Sequence, residues 1–267
     1  MEQIDLQLRQ RLLLDIAKEV CRIGKNHQIP IFMVGGTMLG AIRHKGFIPW
    51  DDDMDFGVTY DHYFELIDIL KKELPPRFKC LYYEDDSPVH SFFFKVEDSH
   101  TVIDDPWVNL PIEKKLGLSI DIFPIVSCTK TGGEEAAKKV RRLINKERAR
   151  MISQNASLPK KFAKHVVGFF SFGNYLKERR QIKKIIDEIP SGDCFCNIVS
   201  PQFWKIIWSK FTFEELDEYA FEDTVFLGPK NYDAYLTRCY KNYMQLPPEE
   251  KRSVHALGVY FRNDISK

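Results

Sequence analysis

The stretch Ile31–Thr59, IFMVGGTMLGAIRHKGFIPWDDDMDFGVT, restricts what this chain can fold into more than any other. An apolar run ends in Gly35-Gly36, a helical pattern carries Arg43, His44 and Lys45, and a second apolar run holds Asp51, Asp52, Asp53 and Asp55. A strand that hands a glycine pair to a helix start leaves backbone N–H groups able to cradle a phosphate. Side chains alternate along a strand, so Asp53 and Asp55 are expected on one face, with Met54 and Phe56 on the other. Two such carboxylates suit Mg²⁺ (or Mn²⁺), which takes a couple of carboxylates together with substrate phosphate oxygens. The expectation is phosphoryl-group chemistry.

Each part has a plainer reading. A glycine pair by itself marks a turn, but here a buried strand precedes it, a helix pattern (Met38, Leu39, Ile42) follows, and carboxylates lie downstream. Arg43, His44 and Lys45 suit either a solvated helix end, where cations are favoured, or the neutralisation of a diphosphate. Four aspartates within residues 51–55 repel one another unless a cation is near, and flanking Ile48, Trp50, Met54 and Phe56 argue against a free loop.

Farther on, GLSIDIFPIVS (117–127) places Ile120 and Ile122 toward a core and Asp121 on the opposite face. A carboxylate between isoleucines on a central strand needs a partner. Asp121 is therefore read as the third carboxylate of the same site.

At 267 residues and 44% hydrophobic content, the chain can bury a sizeable core as one domain, or as a domain with an appendage. The N-terminus lacks the basic and apolar regions of a signal peptide, and no apolar run approaches ~18 residues. Cytoplasmic residence is expected. The six cysteines are scattered without zinc-type spacing, so reduced, partly buried thiols are expected.

In chain order, helices are expected at 4–26 and 59–74, the second capped by Thr59 or Asp61, and short strands at 78–83, 91–97 and 100–103. The last third reads as a helix at 213–220, a strand near Val225–Leu227, and a helix from Asn231 with Tyr232, Leu236, Cys239 and Tyr243 on one face. His255 stands apart from any triad pattern.

Net charge is only +1, yet residues 132–184 hold fifteen Lys and Arg against four Glu. Within them VVGFFSFGNYL (166–176) is bracketed by Lys160, Lys161, Lys164 and by Lys177, Arg179, Arg180. That pattern suits a core helix with a basic rim, or peripheral contact with an anionic membrane face. No nucleic-acid module is recognisable, and nucleic acid is not expected as a partner.

The runs GGTMLGAIRHKGFIPWDDDMDF (35–56), IDIFP (120–124) and NYDAYL…YMQLPP (231–248) resemble the LicD family, bacterial phosphocholine transferases with the fukutin-type ribitol-phosphate transferases as animal relatives. The family's tail commonly has glycine where this chain has Lys241. The resemblance implies an α/β (α+β) nucleotidyltransferase-like fold with a mixed sheet, plus further helices in the C-terminal half. Residues 1–130 would form the catalytic core, and 131–267 a mostly helical part packed on it. It carries the catalytic and metal-holding roles onto Asp53, Asp55 and Asp121. Substrate contacts fall to Gly35, Gly36, Thr37, Arg43, His44, Lys45 and Asp51.

The implied reaction moves a phospho-alcohol, phosphocholine first and ribitol or glycerol phosphate next, from CDP-choline or another CDP-alcohol. The acceptor would be a hydroxyl of a cell-surface glycan, a lipid-linked polysaccharide or a teichoic acid precursor, and CMP would leave. Asp121 would also take the acceptor proton. Trp50 and Trp107 are candidates for enclosing choline by cation–π attraction. The rival readings are a D-x-D glycosyltransferase using a nucleotide sugar, and a non-catalytic protein that binds cations or a membrane surface.

Overall fold

A computed structural model of the chain describes residues 3–82, 92–104, 115–150, 175–199, 207–252 and 258–262. The expectations for Trp107, His255 and most of the basic aromatic stretch, residues 151–174, lie outside the described residues.

The first helix, α1 (Leu6–Asn26), is capped by Asp5, whose carboxylate accepts the Leu8 amide at 2.7 Å. Its apolar stripe, Leu13, Ile16, Ala17, Val20 and Ile23, has no exposed surface, and each fully buried Leu, Ile or Val side chain contributes about 1.5–3 kcal/mol. A two-residue strand, β1 (Phe32–Met33), runs directly into α2 (Gly35–His44). Then come β2 (Asp55–Thr59) and α3 (Tyr60–Glu73), with Thr59 as the N-cap and Asp61 in the first turn.

Strands β3 (Phe78–Leu81), β4 (Phe94–Asp98), β5 (Thr101–Ile103) and β6 (Ser119–Cys128) follow, then helices α4 (Lys130–Arg150) and α5 (Tyr175–Asp187). The last elements are β7 (Cys194–Cys196), β8 (Ile207–Ser209), β9 (Leu216–Phe221), β10 (Thr224–Pro229), α6 (Tyr232–Tyr240) and β11 (Val259–Phe261).

The main sheet is mixed, in the order β3-β4-β6-β2-β1-β10-β9, with β7 added on β6 and β8 on β7. Strands β2 and β6 are parallel, as are β1 and β10, while β1–β2, β4–β6 and β9–β10 are antiparallel. The expected α/β character with a mixed sheet is therefore what the chain adopts. Strands from the last third complete the sheet begun by the first. Helices α1 and α3 pack on one another and both touch β6, whereas α6 packs on β10. None of the cysteines forms a disulfide, and none of the helices among the described residues is long and apolar enough to cross a membrane.

The helix expected at 213–220 is absent. Residues 210–212 form a single 3₁₀ turn and Leu216–Phe221 is a strand. Phe213, Leu216 and Ala220 mimic helical spacing, and the hairpin carries none of the usual glycine signal. Its two-residue turn is Glu222-Asp223, with Glu222 at φ 53°. The tertiary fold holds that turn from outside: the Glu222 carboxylate accepts the Phe47 amide at 2.9 Å, and the Glu222 amide donates to the Lys45 carbonyl at 2.8 Å.

Candidate active site

Strand β1 is antiparallel to β2, so its C-terminal end, where the chain turns into α2, lies beside the N-terminal end of β2. The turn requires glycine for two reasons. Gly35 sits at φ +55°, in the left-handed region, and a Cβ there would lie 2.7 Å from Asp55 Oδ2. A Cβ on Gly36 would lie 2.9 Å from Asp51 Oδ2. The glycine pair thus lets the first turn of α2 rest against two carboxylates.

The Thr37 hydroxyl accepts the Asp55 amide at 2.7 Å, and the Val34 amide donates to the Asp55 carbonyl at 3.0 Å, which fixes the start of β2. One expectation needs correction. The Gly35 amide is not an open donor, because it donates to the Tyr235 hydroxyl at 2.7 Å. The amides of Gly36 and Thr37 remain the first-turn donors without an intrahelical acceptor.

Asp55 and Asp121 are direct register partners in the parallel β2–β6 ladder, and Asp121 is in turn the register partner of Lys95 on β4. Neighbouring strands lie about 4.7–4.9 Å apart, so Asp55, Asp121 and Lys95 form one row across three strands. The Lys95 ammonium donates to Asp121 Oδ1. Ile120 and Ile122 are fully buried on the other face, as their alternation with Asp121 required.

Asp53 precedes the ladder rather than belonging to it, since β2 begins at Asp55. The alternation still holds, with Met54 and Phe56 fully buried and Asp53 and Asp55 only part-buried. Burial, followed by the Asp53, Asp121 and Asp51 carboxylates, pushes Asp55 well above the usual carboxylate range, with Lys95 opposing. Burial also raises Asp121, against the pull of Lys95.

Asp52 departs from the expected acidic cluster. It is buried and paired with Arg9 of α1 at 3.3 Å, and Arg9 Nε also donates to the Ile4 carbonyl at 2.9 Å. The neighbouring Gln10 amide donates to the Asp51 carbonyl at 2.8 Å. Helix α1 therefore clamps the loop that aims Asp51 and Asp53. No sequence signal linked Arg9 to Asp52, 43 positions away.

Arg43 and His44 lie part-buried at the end of α2. Arg43 Nε donates to His44 Nε2 at 2.9 Å, and Nη1 donates to the Tyr243 carbonyl at 3.1 Å. Burial lowers the basicity of both; Tyr240 counteracts this for Arg43, whereas the Arg43 charge adds to it for His44. Lys45 is exposed and closes α2 at φ 61°.

Tyr240 is held far above the usual phenol range by burial and then by Cys239 and the charges of Asp55, Asp51 and Asp53. Tyr235 and Tyr240 were legible only as part of the tail motif. The periodicity had instead put Tyr232 and Tyr243 on the buried face, where Tyr235, Leu236 and Cys239 lie. Trp50 carries the Arg252 guanidinium 4.9 Å from its ring centre, so a resident cation already covers one ring face.

The sequence-derived set thus divides. Gly35, Gly36, Thr37, Asp51, Asp53, Asp55 and Asp121 gather at one end of β1, β2 and β6, with Arg43 on the Tyr240 side and Lys45 at the exposed helix end. Among the described residues, no group of three or more Asp, Glu, His or Cys side chains is placed to hold a metal ion by itself. A Mg²⁺-type ion does not require one, because substrate oxygens and water complete its shell. Adjacent carboxylates whose charges disfavour one another fit such a cation.

Residues 28–142, from the entry to β1 through most of α4, match the family model described as LicD/FKTN/FKRP, nucleotidyltransferase domain. The chain is 27% identical over 268 aligned positions to the lipopolysaccharide cholinephosphotransferase LicD of Haemophilus influenzae, covering 96% of this chain and 97% of that protein. Uncharacterized proteins of Rickettsia prowazekii and Rickettsia typhi are each 35% identical over 71 residues, 27% of this chain and 25% and 21% of theirs. The segment that supplies the glycine turn, the Asp55–Asp121 row and Lys95 is the part of the chain that matches the LicD-family nucleotidyltransferase domain.

Proposed function

We propose that this chain transfers phosphocholine from CDP-choline to a hydroxyl of a cell-surface glycan or teichoic acid precursor, releasing CMP. The observation that carries the reading is the register pair Asp55–Asp121, set directly behind the Gly35-Gly36 turn inside the LicD-family segment. The similarity along nearly the whole chain to a cholinephosphotransferase supports choline as the alcohol and a surface glycan such as lipopolysaccharide as the acceptor.

In this reading Asp53, Asp55 and Asp121 would hold a divalent cation, Mg²⁺ or Mn²⁺. When bound, it offsets charge on the diphosphate and on the leaving phosphate. The Gly36 and Thr37 amides, at the positive end of α2, bind phosphate oxygens. Arg43 flanks the diphosphate from the α6 side. The acceptor hydroxyl oxygen forms a bond to the phosphorus that carries choline, its proton passes to Asp121, and the bond from that phosphorus to the CMP oxygen breaks. A lipid-linked acceptor would bring the protein to the inner membrane face; loss of liposome binding with salt tests that contact.

The decisive experiment offers the purified protein an acceptor glycan with CDP-choline, CDP-ribitol, CDP-glycerol or a UDP-sugar, with and without Mg²⁺, and identifies the nucleotide released. CMP from CDP-choline is expected. Release of UDP, with none of the CDP-alcohols yielding CMP, would overturn the proposal in favour of a D-x-D glycosyltransferase.

A further inference from the structure

We infer that Lys95 is a built-in counter-ion of the carboxylate row that a divalent cation must displace from Asp121, after which its ammonium contacts an oxygen of the donor's diphosphate. The inference rests on the proposed diphosphate donor and adds a residue that the sequence did not single out.

Four observations carry it. Lys95 is the register partner of Asp121, itself the register partner of Asp55, so the ammonium is built into the same row as the proposed metal carboxylates. Its strand neighbours Phe94 and Val96 are fully buried, which commits the Lys95 side chain to the site face. Its ammonium sits between two partners: Asp121 Oδ1, and the ring of Phe93, whose centre is 5.2 Å away. Phe93 is in turn packed on Phe123 at 4.4 Å between ring centres, so this second perch is fixed.

The charges decide the sequence of events. Asp55 and Asp121 are register partners, Asp55 and Asp51 both lie against the glycine turn, and Lys95 lies in direct contact with Asp121. An ammonium and a divalent ion cannot share that carboxylate without repelling each other, and the divalent ion has twice the attraction. Once displaced, a Lys95 held by the Phe93 face stays beside the phosphates that the ion recruits. Lysine suits this exchange because its point charge turns on a flexible stem, whereas the arginine fork would clamp Asp121.

The test uses equilibrium binding of the full chain, with Mn²⁺ and inorganic pyrophosphate as probes alongside CDP-choline. Lys95→Met is expected to bind Mn²⁺ about tenfold more tightly, because the competing charge is gone. It is expected to bind pyrophosphate in the presence of Mn²⁺ about ten- to a hundredfold more weakly, through loss of one charged hydrogen bond. Lys95→Arg keeps the charge and is expected to bind Mn²⁺ more weakly than the natural chain. Lys79→Met, an exposed charge loss on β3, should change neither, and thermal melting establishes that each variant folds.

Unchanged Mn²⁺ and pyrophosphate affinities in folded Lys95→Met would reduce Lys95 to a structural partner of Asp121 and overturn the inference, whatever the donor. Weakened pyrophosphate binding in that variant, with no CDP-choline binding by the natural chain, would sustain the Lys95 role and overturn the phosphocholine reading instead.

Discussion

Asp52 and Asp55 lie three residues apart in one acidic run, yet the fold treats them oppositely. Asp52 is turned inward onto the Arg9 guanidinium, with both side chains out of solvent. Asp55 faces three other carboxylates, and the Lys95 charge that opposes them is engaged on Asp121. The first arrangement is electrically closed and holds a loop in place. The second is electrically open, which costs stability by itself and suits a site that gains a cation and a diphosphate.

The sharpest way to break this comparison is Asp55→Asn or Asp121→Asn. Each should lower Mg²⁺-dependent CMP release by about a thousandfold or more; Asp55→Asn should leave the melting temperature unchanged or raised because carboxylate repulsion is relieved, whereas Asp121→Asn also gives up the Lys95 ion pair. A variant that keeps the natural rate would remove that residue from the site.

Asp52→Ala is the converse. It strands the buried Arg9 charge and should cost about 3–5 kcal/mol in urea unfolding. Replacing both partners, Arg9→Met with Asp52→Leu, should recover part of that loss. Equal damage from the single and the double change would show that the pair is not what holds the loop.

Tyr235→Phe tests whether the glycine turn belongs to the closed or the open region. It removes the acceptor of the Gly35 amide and should cost about 1–3 kcal/mol in the same unfolding measurement. A neutral result would mean that the amide finds another acceptor.

The smallest effect is expected at Lys241, which follows α6 at φ 60°, ψ −110°, a conformation natural only to glycine. Lys241→Gly should therefore stabilise the chain by about 1 kcal/mol, read as a higher urea midpoint. A loss of stability would mean that the lysine side chain makes a contact that outweighs the strain.

What could be read in advance was local. The alternation through Met54–Phe56 and Ile120–Ile122, the glycine pair and the helix stripes are written at spacings of two to four residues, and the chain folds accordingly. The strand at Leu216–Phe221 escaped because apolar spacing there fits a helix as well as a strand, and the choice was made by pairing with β10. Tyr235 escaped because its contact, the Gly35 amide, is 200 residues away.

The sequence by itself therefore determined the glycine turn, the faces of the Asp53, Asp55 and Asp121 side chains, and the phosphoryl chemistry they suggest. Only the tertiary structure decided which charges meet. Asp52 meets Arg9 and Asp121 meets Lys95, because strand register and helix packing bring together groups whose separation along the chain carries no periodic signal. Electrostatic partnership depends on distance through space, and a linear pattern of residues does not encode that distance beyond a single turn or ladder step.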